Sequence, residues 1–391
     1  MTELSWAQVS ARRLARHRLA APAADATTGP DVAPGAGRLA DVVSAMCGAH
    51  AQIASAAELS IGLRVPGATR ELVRRALWSD RTLVKTRGPR GTVHLLAAAD
   101  LPMWIGALSA FPAPPGERSV ALLTPRQTDQ VLAAIADAVA ETDLTSVELT
   151  EEIVARTGPW AGDLVMEAFQ DRWPRWMAAM AAATRGGVIC FGPNRGRAST
   201  YTSPARWLPE FTPMPGPAAL AALVRGYLHA YGPATPAQFA RWMAVQPRWA
   251  TGLFDSADLT EVAVEGSRAW VNADDTEFTD DRPSGLRLLP YFDAYTVGCH
   301  PRERLFPGAA AERALNGGQA GNYPVLLVDG VVAGVWHQRR SGRSIHITVE
   351  PLQTLSAARQ RALGEEVERI GDILEGRASL TIGTVSVGPH A

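Results

Sequence analysis

A chain of 391 residues with 47% hydrophobic content is long enough for two to four domains and a well-filled core, and none of its uncharged apolar runs reaches membrane-spanning length. Its 38 basic and 39 acidic residues leave a net charge of −1, which argues against coating nucleic acid by charge alone but leaves room for a local basic surface. Cys47, Cys190 and Cys299 lie far apart with neither a CxxC pair nor a zinc spacing, so they are expected as reduced, mostly buried thiols of a cytoplasmic protein with no metal.

Residues 4–20 read as a helix, with Trp6, Val9, Leu14 and Leu19 as apolar positions and arginines between them. No apolar segment follows those arginines, so the start is not expected to be a signal peptide. Residues 20–37 are rich in Ala, Pro, Gly and Thr and predict a loop. Apolar residues at 39, 42, 43, 46 and 47 predict an amphipathic helix. The pattern Ser55-x-x-Glu58 predicts a capping box and a second helix from about residue 55. A third is expected over 69–78. Residues 84–96 then read strand, Arg87-Gly-Pro-Arg-Gly91, strand.

The same order recurs. Thr124-Pro125 and Thr145-x-x-Glu148 are helix starts, with helices expected over 148–156 and 173–183. Residues 188–201 read strand, Gly192-Pro-Asn-Arg-Gly-Arg197, strand. A third, shorter round spans 217–271: a turn at Tyr231-Gly-Pro, a cap at Thr235, Pro236 in the first helical turn, and a stunted wing strand at 267–271. Helices followed by a hairpin with a Gly/Pro/Arg tip describe a winged helix, and winged helices most often sit on DNA. The expected segments are 1–115, 116–210 and 211–280 for the three winged helices.

From residue 286 the pattern turns to strands. Asp329-Gly330 between apolar runs is a hairpin signal. Residues 344–349 alternate in period two behind Arg339-Arg340-Ser-Gly-Arg343. A helix rich in Glu and Arg is expected over 356–374 and a last strand over 379–387. Residues 281–391 therefore read as a β-rich, barrel-like domain, and the fold class is α+β.

His50-Ala51-Gln52 lies at the break between two helices. Residues two apart face the same way only on an extended segment. There, a neutral imidazole and a carboxamide could hold and polarise a water; on a helix, His50 would merely end the apolar face and Gln52 tidy a terminus. Lys85 is the only lysine, so nearly all positive charge is arginine, largely through coding bias. Guanidinium forks suit phosphate. Arg87, Arg90, Arg195 and Arg197 at the wing tips are phosphate candidates or solvated loop residues, as are Arg12, Arg13 and Arg16 on the first helix. Arg302 and Arg304 lie in a further basic loop. His94 either faces the cleft or is a structural strand residue. Asp293 either stabilises a developing cation or caps the turn before Tyr295.

In this order the chain resembles the AlkZ/YcaQ superfamily of winged-helix DNA glycosylases. The resemblance rests on Arg87-Gly-Pro-Arg-Gly-Thr-Val-His-Leu-Leu96, Cys190-Phe-Gly-Pro-Asn-Arg-Gly196, Tyr231-Gly-Pro-Ala-Thr235, Leu288-Leu-Pro-Tyr-Phe-Asp293 and Val328-Asp-Gly-Val-Val-Ala-Gly-Val-Trp336. It implies three tandem winged helices and a C-terminal β domain, arranged as a C around duplex DNA. The family's catalytic Q-Φ-Q or Q-Φ-D motif falls on His50-Ala51-Gln52, which matches the H-Φ-Q branch of the AlkZ-like enzymes. The resemblance further implies a cofactor-free glycosylase acting on N7-alkylguanine in double-stranded DNA, with bulky adducts of a genotoxic natural product, and hence self-resistance, as the substrate class. An enzyme clamping duplex from one side has no need of a dimer, so a monomer is expected. A lyase-competent glycosylase needs an amine, and Lys85, at the start of a wing strand, is expected to be solvated or phosphate-facing. Cleavage is therefore expected to leave an abasic site. The alternatives are a noncatalytic DNA-binding regulator and a protein that sequesters the drug itself.

Overall fold

Caps written in the sequence start several of the long helices. In the computed structural model, which describes residues 2–20, 35–112, 122–167 and 171–389, Thr124 and Thr145 each accept a hydrogen bond from the backbone N–H three residues on, while Gln127 and Glu148 reach back to the cap N–H. Two otherwise orphaned donors are satisfied at each helix start. Ser5 and Thr235 cap with Gln8 and Gln238 in the same way. Most of the 20–37 loop, residues 21–34, lies outside the described residues.

By its internal contacts the chain divides into two compact units: Leu77–Leu223, and Met1–Ala76 together with Val224–Ala391. The four segments read from the sequence are repeats of local layout, whereas these units are groupings by packing. In the first unit, Leu83–Arg87 pairs antiparallel with Val93–Ala97, and Pro89–Gly91 forms the expected wing tip. Arg90 and Gly91 take positive φ there, 59° and 68°. The second repeat follows winged-helix order: helix Pro125–Val139, strand Leu144–Thr145, helix Ser146–Thr157, and a hairpin of Cys190–Arg195 with Ala198–Thr202. Val131, Ile135, Leu149, Ile153, Trp176 and Ile189 fill its core, and the Trp176 indole N–H is satisfied by Thr150 Oγ1 at 2.9 Å.

The helix expected over 173–183 is a correction. Arg172–Pro174 is a strand paired with Leu164–Glu167, a 3-10 turn follows at Arg175–Ala179, and only Met180–Arg185 is α-helical. Pro174 has no N–H to give and disfavours the α-region at Trp173. The apolar spacing that imitated a helix runs across a strand, a turn and a short helix.

In the second unit, helix Trp6–Arg16 follows a strand the sequence did not announce, Thr2–Leu4, which pairs parallel with Leu259–Val264. That strand pairs over six residues with Ser267–Asn272, around Glu265 and Gly266 at φ 45° and 78°. The third wing is thus fuller than the stunted strand expected. Its alternation is blurred because Thr260, Glu261 and Arg268 interrupt the apolar series. Leu4, Val9, Val262, Val264 and Val271 form the core beneath it. Helices Pro236–Met243 and Pro247–Asp255 precede the wing.

The C-terminal strands Leu286–Leu289, Val325–Val328, Val331–Ser341, Ser344–Pro351 and Arg377–Ile382 form a five-stranded, curled half-barrel sheet in sequential order. Asp329 and Gly330 make the expected two-residue turn, with φ 48° and 80°. The last strand runs parallel to its neighbour and is reached through the crossover helix Ala357–Ile373, capped by Ser356.

The helix expected from residue 55 is Ala54–Gly62, and its start is a second correction. Ile53 is the cap and offers no side-chain bond. Glu58 does not reach back to Ser55; its carboxylate instead receives Arg74 Nε and Nη2 at 2.7 and 3.1 Å. Ala56–Gly62 is buried throughout. Gly62 is required by contact rather than by φ, since a Cβ there would stand 2.5 Å from Ile373 Cγ2.

Candidate active site

The break between helices Ala36–Ala45 and Ala54–Gly62 is extended only in part, with Gln52 in a bend. Cys47 and Gly48 turn the chain out of the first helix with positive φ, 55° and 97°. Ala49–His50 is strand, and Ile53 is extended. His50 is 8% exposed. Its imidazole stacks on the Phe292 ring with centroids 4.5 Å apart and planes 23° from parallel. Gln52 is exposed. A ring held on one face by an aromatic cannot swing freely, so the imidazole is fixed in place before any substrate arrives.

Phe292 is itself held in an unusual place. Its φ is 54°, in a region that costs a side-chain-bearing residue roughly 1–3 kcal/mol. Its N–H donates to the Gly321 carbonyl at 3.0 Å. The next residue, Asp293, is 1% exposed. Arg64 donates from Nη1 and Nη2 to its two oxygens at 2.9 and 2.7 Å, Ser60 Oγ donates at 2.7 Å, and the Tyr295 N–H donates at 3.0 Å. Burial alone would raise the Asp293 pKa; the Arg64 guanidinium and these donors outweigh it and hold the carboxyl below its ordinary range. Of the two readings of Asp293, the cap before Tyr295 is the one observed. Its acceptor capacity is spent on the buried pair and the cap, so a direct role in stabilising a substrate cation is corrected. Ser60, Arg64 and Phe292 were not singled out from the sequence. The available signal was Asp293 at the end of Leu288-Leu-Pro-Tyr-Phe.

The arginines sort by what already holds them. Arg13 is 5% exposed, with Nη1 and Nη2 donating to the carbonyls of His300 and Pro233 at 2.7 and 3.0 Å. Arg12 lies over Phe278, binds the Asp275 carbonyl at 2.8 Å and pairs with the Asp275 carboxylate at 2.7 Å. Arg302 donates to the carbonyls of Thr296, Val297 and Cys299, closing the helix Ala294–Gly298. These three are structural struts, which corrects their reading as phosphate contacts. A helix pattern shows that an arginine interrupts an apolar face but not which distant carbonyls it meets. Arg16 is partly exposed beside Asp275 and His229, and Arg304 is exposed, paired with Glu265 at 2.7 Å. At the wings, Arg87 Nη1 donates to the Gly91 carbonyl at 2.9 Å. Arg90 is half-buried at the tip, Arg195 pairs with Glu148, and Arg197 is exposed in the second turn.

His94 is 4% exposed, with Nδ1 2.9 Å from the Thr92 carbonyl; this matches the structural reading of a strand histidine. Lys85, expected to be solvated or phosphate-facing, is half-buried. Its ammonium lies 5.0 Å from the centre of the Phe191 ring, and burial lowers its pKa. The three cysteines are buried, as expected. Among the described residues no group of three or more His, Cys, Asp and Glu side chains is arranged to hold a metal ion, and no helix is long and apolar enough to cross a membrane.

The family model of the AlkZ-like DNA glycosylases matches residues 43–373. An interstrand DNA cross-link repair glycosylase of Streptomyces sahachiroi is 33% identical over 344 residues, covering 85% of this chain and 87% of the relative. The solved structure of the Streptomyces sahachiroi DNA glycosylase AlkZ is similar over 98% of this chain and all of its own, with a TM-score of 0.75 and 28% identity. A match over this much of the chain, with an α+β architecture of the same kind, makes this protein an enzyme and a member of the AlkZ-like DNA glycosylase family.

Proposed function

We propose that this enzyme hydrolyses the N-glycosidic bond of N7-alkylguanine in duplex DNA, with bulky adducts as its substrates, and that His50 and Gln52 carry the reaction. The observation that supports this most is the pairing of a buried imidazole stacked on Phe292, at the end of a short strand, with an exposed carboxamide two residues on. Alkylation at N7 makes the base cationic. When the C1′–N9 bond breaks, its electron pair neutralises the base, so the leaving group needs little acid assistance. The sugar is left oxocarbenium-like, and a water adds to C1′. Gln52 orients that water by hydrogen bonding, while neutral His50 accepts its proton. The products are a neutral modified base and an abasic site. No strong carboxylate base is required, in keeping with Asp293 being committed elsewhere.

An adduct that ties two strands together is one bulky member of this class, and the cross-link named for the Streptomyces sahachiroi relative makes it the first to try. Such an enzyme fits cytoplasmic self-resistance in an organism exposed to a genotoxic natural product. It works as a monomer and leaves the strand uncut. No Schiff base is formed in this scheme, and Lys85, which stands beside Phe191, takes no part in it. Arg90 and Arg197 at the two wing tips, with Arg16, Arg87, Arg195 and Arg304, are the proposed phosphate contacts.

The test is a panel of duplexes carrying large and small N7-guanine adducts, scored by free base released and by strand breakage after alkali. His50→Ala and Gln52→Ala are each expected to slow release of at least one bulky adduct by about 100-fold or more. Full activity in both variants would remove the site assignment. Tight binding of the free drug with no release would favour sequestration, and sequence-specific binding with no release would favour a regulator. A covalent enzyme–DNA adduct trapped by borohydride would overturn the monofunctional mechanism.

A further inference from the structure

The outer face of the C-terminal sheet carries chemistry that the active site does not use. Strand register places three residues each of Val331–Ser341, Ser344–Pro351 and Arg377–Ile382 side by side on this face, while the alternate residues Ile345, Ile347 and Val349 are buried beneath. Arg339 stands beside His346, which stands beside Ser379. His337 and Arg377 occupy the flanking rows. Each of the remaining positions is Ser or Thr, and none of the nine is acidic. His346 is fixed by two hydroxyls, with Nδ1 3.1 Å from Ser379 Oγ and Nε2 3.3 Å from Thr381 Oγ1. The adjoining turn adds exposed Arg343. Nearby carboxylates are occupied. Glu350, the next outward residue of the middle strand, is held by Arg313 at 2.9 and 3.0 Å, and Glu375 pairs with Arg70 at 3.3 Å.

An ordinary solvated sheet face in a chain with as many acids as bases mixes both signs. This one offers two arginines, two histidines and five hydroxyls with no acid, on a three-strand platform. We propose that it is a second DNA-binding surface, separate from the wings, which holds the phosphate backbone of duplex DNA without regard to sequence or lesion. Charge complementarity selects the occupant: guanidinium forks and hydroxyls are donors matched to phosphate oxygens, and nothing on the face repels them. Arg339 and Arg377 lie two strands apart and one step offset, about 12 Å by sheet spacing. That is comparable with the roughly 12 Å width of the major groove, so the two side chains can reach phosphates on its two sides.

The experiment is equilibrium binding of the full chain to an unmodified duplex across a range of salt, for wild type, Arg339→Glu/Arg377→Glu and the milder Arg339→Gln/Arg377→Gln. Both positions are exposed, and thermal melting checks that each variant folds. The expected result is affinity lower by on the order of tenfold or more, and a plot of log K against log salt that is shallower by roughly 2, one unit per lost phosphate contact. Single-turnover base release at saturating DNA is expected to stay at the wild-type rate. Unchanged affinity and salt slope in both folded variants would overturn the proposal. So would a loss seen only on adducted duplex, or weakened binding of single-stranded RNA with duplex DNA unaffected. Because the probe carries no lesion, failure of the His50–Gln52 reading leaves this measurement intact.

Discussion

His50 and Phe292 show how one stacking contact converts an ordinary histidine into a positioned one. An imidazole on a two-residue strand has few local restraints. Packed at 4.5 Å on an aromatic ring whose own backbone is held at positive φ, its ring plane is restricted. Phe292 is in this sense a positioning residue, not one that meets the water. Phe292→Ala is expected to lower the rate of base release by about tenfold with little change in apparent DNA affinity, since misplacing a reacting group costs rate more than binding. Phe292→Tyr, which keeps the ring, is expected to restore most of the rate. Single-turnover kinetics over a range of enzyme concentration separates the two effects. Equal losses in both variants would refute the positioning role of the ring.

At the scale of elements, the Arg64–Asp293 pair fastens the chain just after helix Ala54–Gly62 to the exit of strand Leu286–Leu289. Both side chains are fully buried. A buried pair of this kind adds little over apolar residues of the same volume, but losing one partner strands a charge. Arg64→Met is therefore expected to destabilise the protein by about 3–5 kcal/mol in urea unfolding. Arg64→Met combined with Asp293→Leu is expected to recover much of that loss. A double variant no better than the single one would show that the pair's geometry, rather than its unbalanced charge, matters most. Because the same loop sets Phe292, reduced activity in a stable double variant would connect this fastening to the site.

On the scale of the whole molecule, His17 ties together three parts of the chain that are remote in sequence. It closes helix Trp6–Arg16 and packs against Tyr231 and Tyr295, with ring centres 5.1 and 5.5 Å away. Burial, helped by the nearby Arg64 charge, pushes its pKa down to about 3, although Asp293 and the Ala230 carbonyl pull the other way. The ordinary value is about 6.5. Between these limits the unfolded chain binds a proton that the folded chain does not, so stability rises with pH. The contribution is intact above about 6.5 and is lost as pH falls toward 3, at up to about 1.4 kcal/mol per pH unit. Melting temperature is expected to drop between pH 7 and pH 4.5. His17→Gln is expected to show a shallower drop over the same range, and parallel profiles would refute this role. Glu366, whose pKa burial raises, pushes the other way in both proteins and cancels in the comparison.

Much of the architecture is local and was therefore legible. The capping boxes at Thr124, Thr145 and Thr235, the Asp329-Gly330 turn and the Arg/Gly/Pro wing tips depend on residues two to four apart, and such patterns survive in a linear text. The interruption between the two helices around His50 was legible for the same reason, though only Ala49–His50 is strand and Gln52 lies in a bend. Ser55 and Glu58 had cap spacing too, yet Arg74, sixteen residues further on, claimed the Glu58 carboxylate. Tertiary structure alone decided which arginines are surface and which are struts, because a guanidinium reads alike whether it meets solvent or, as with Arg13, carbonyls 220 and 287 residues away. It also decided that Phe292 meets His50 and that nine outward residues of three strands, Arg339 and Arg377 among them, share one face without an acid. Those arrangements depend on contacts and register between distant segments, which the order of residues along the chain does not display.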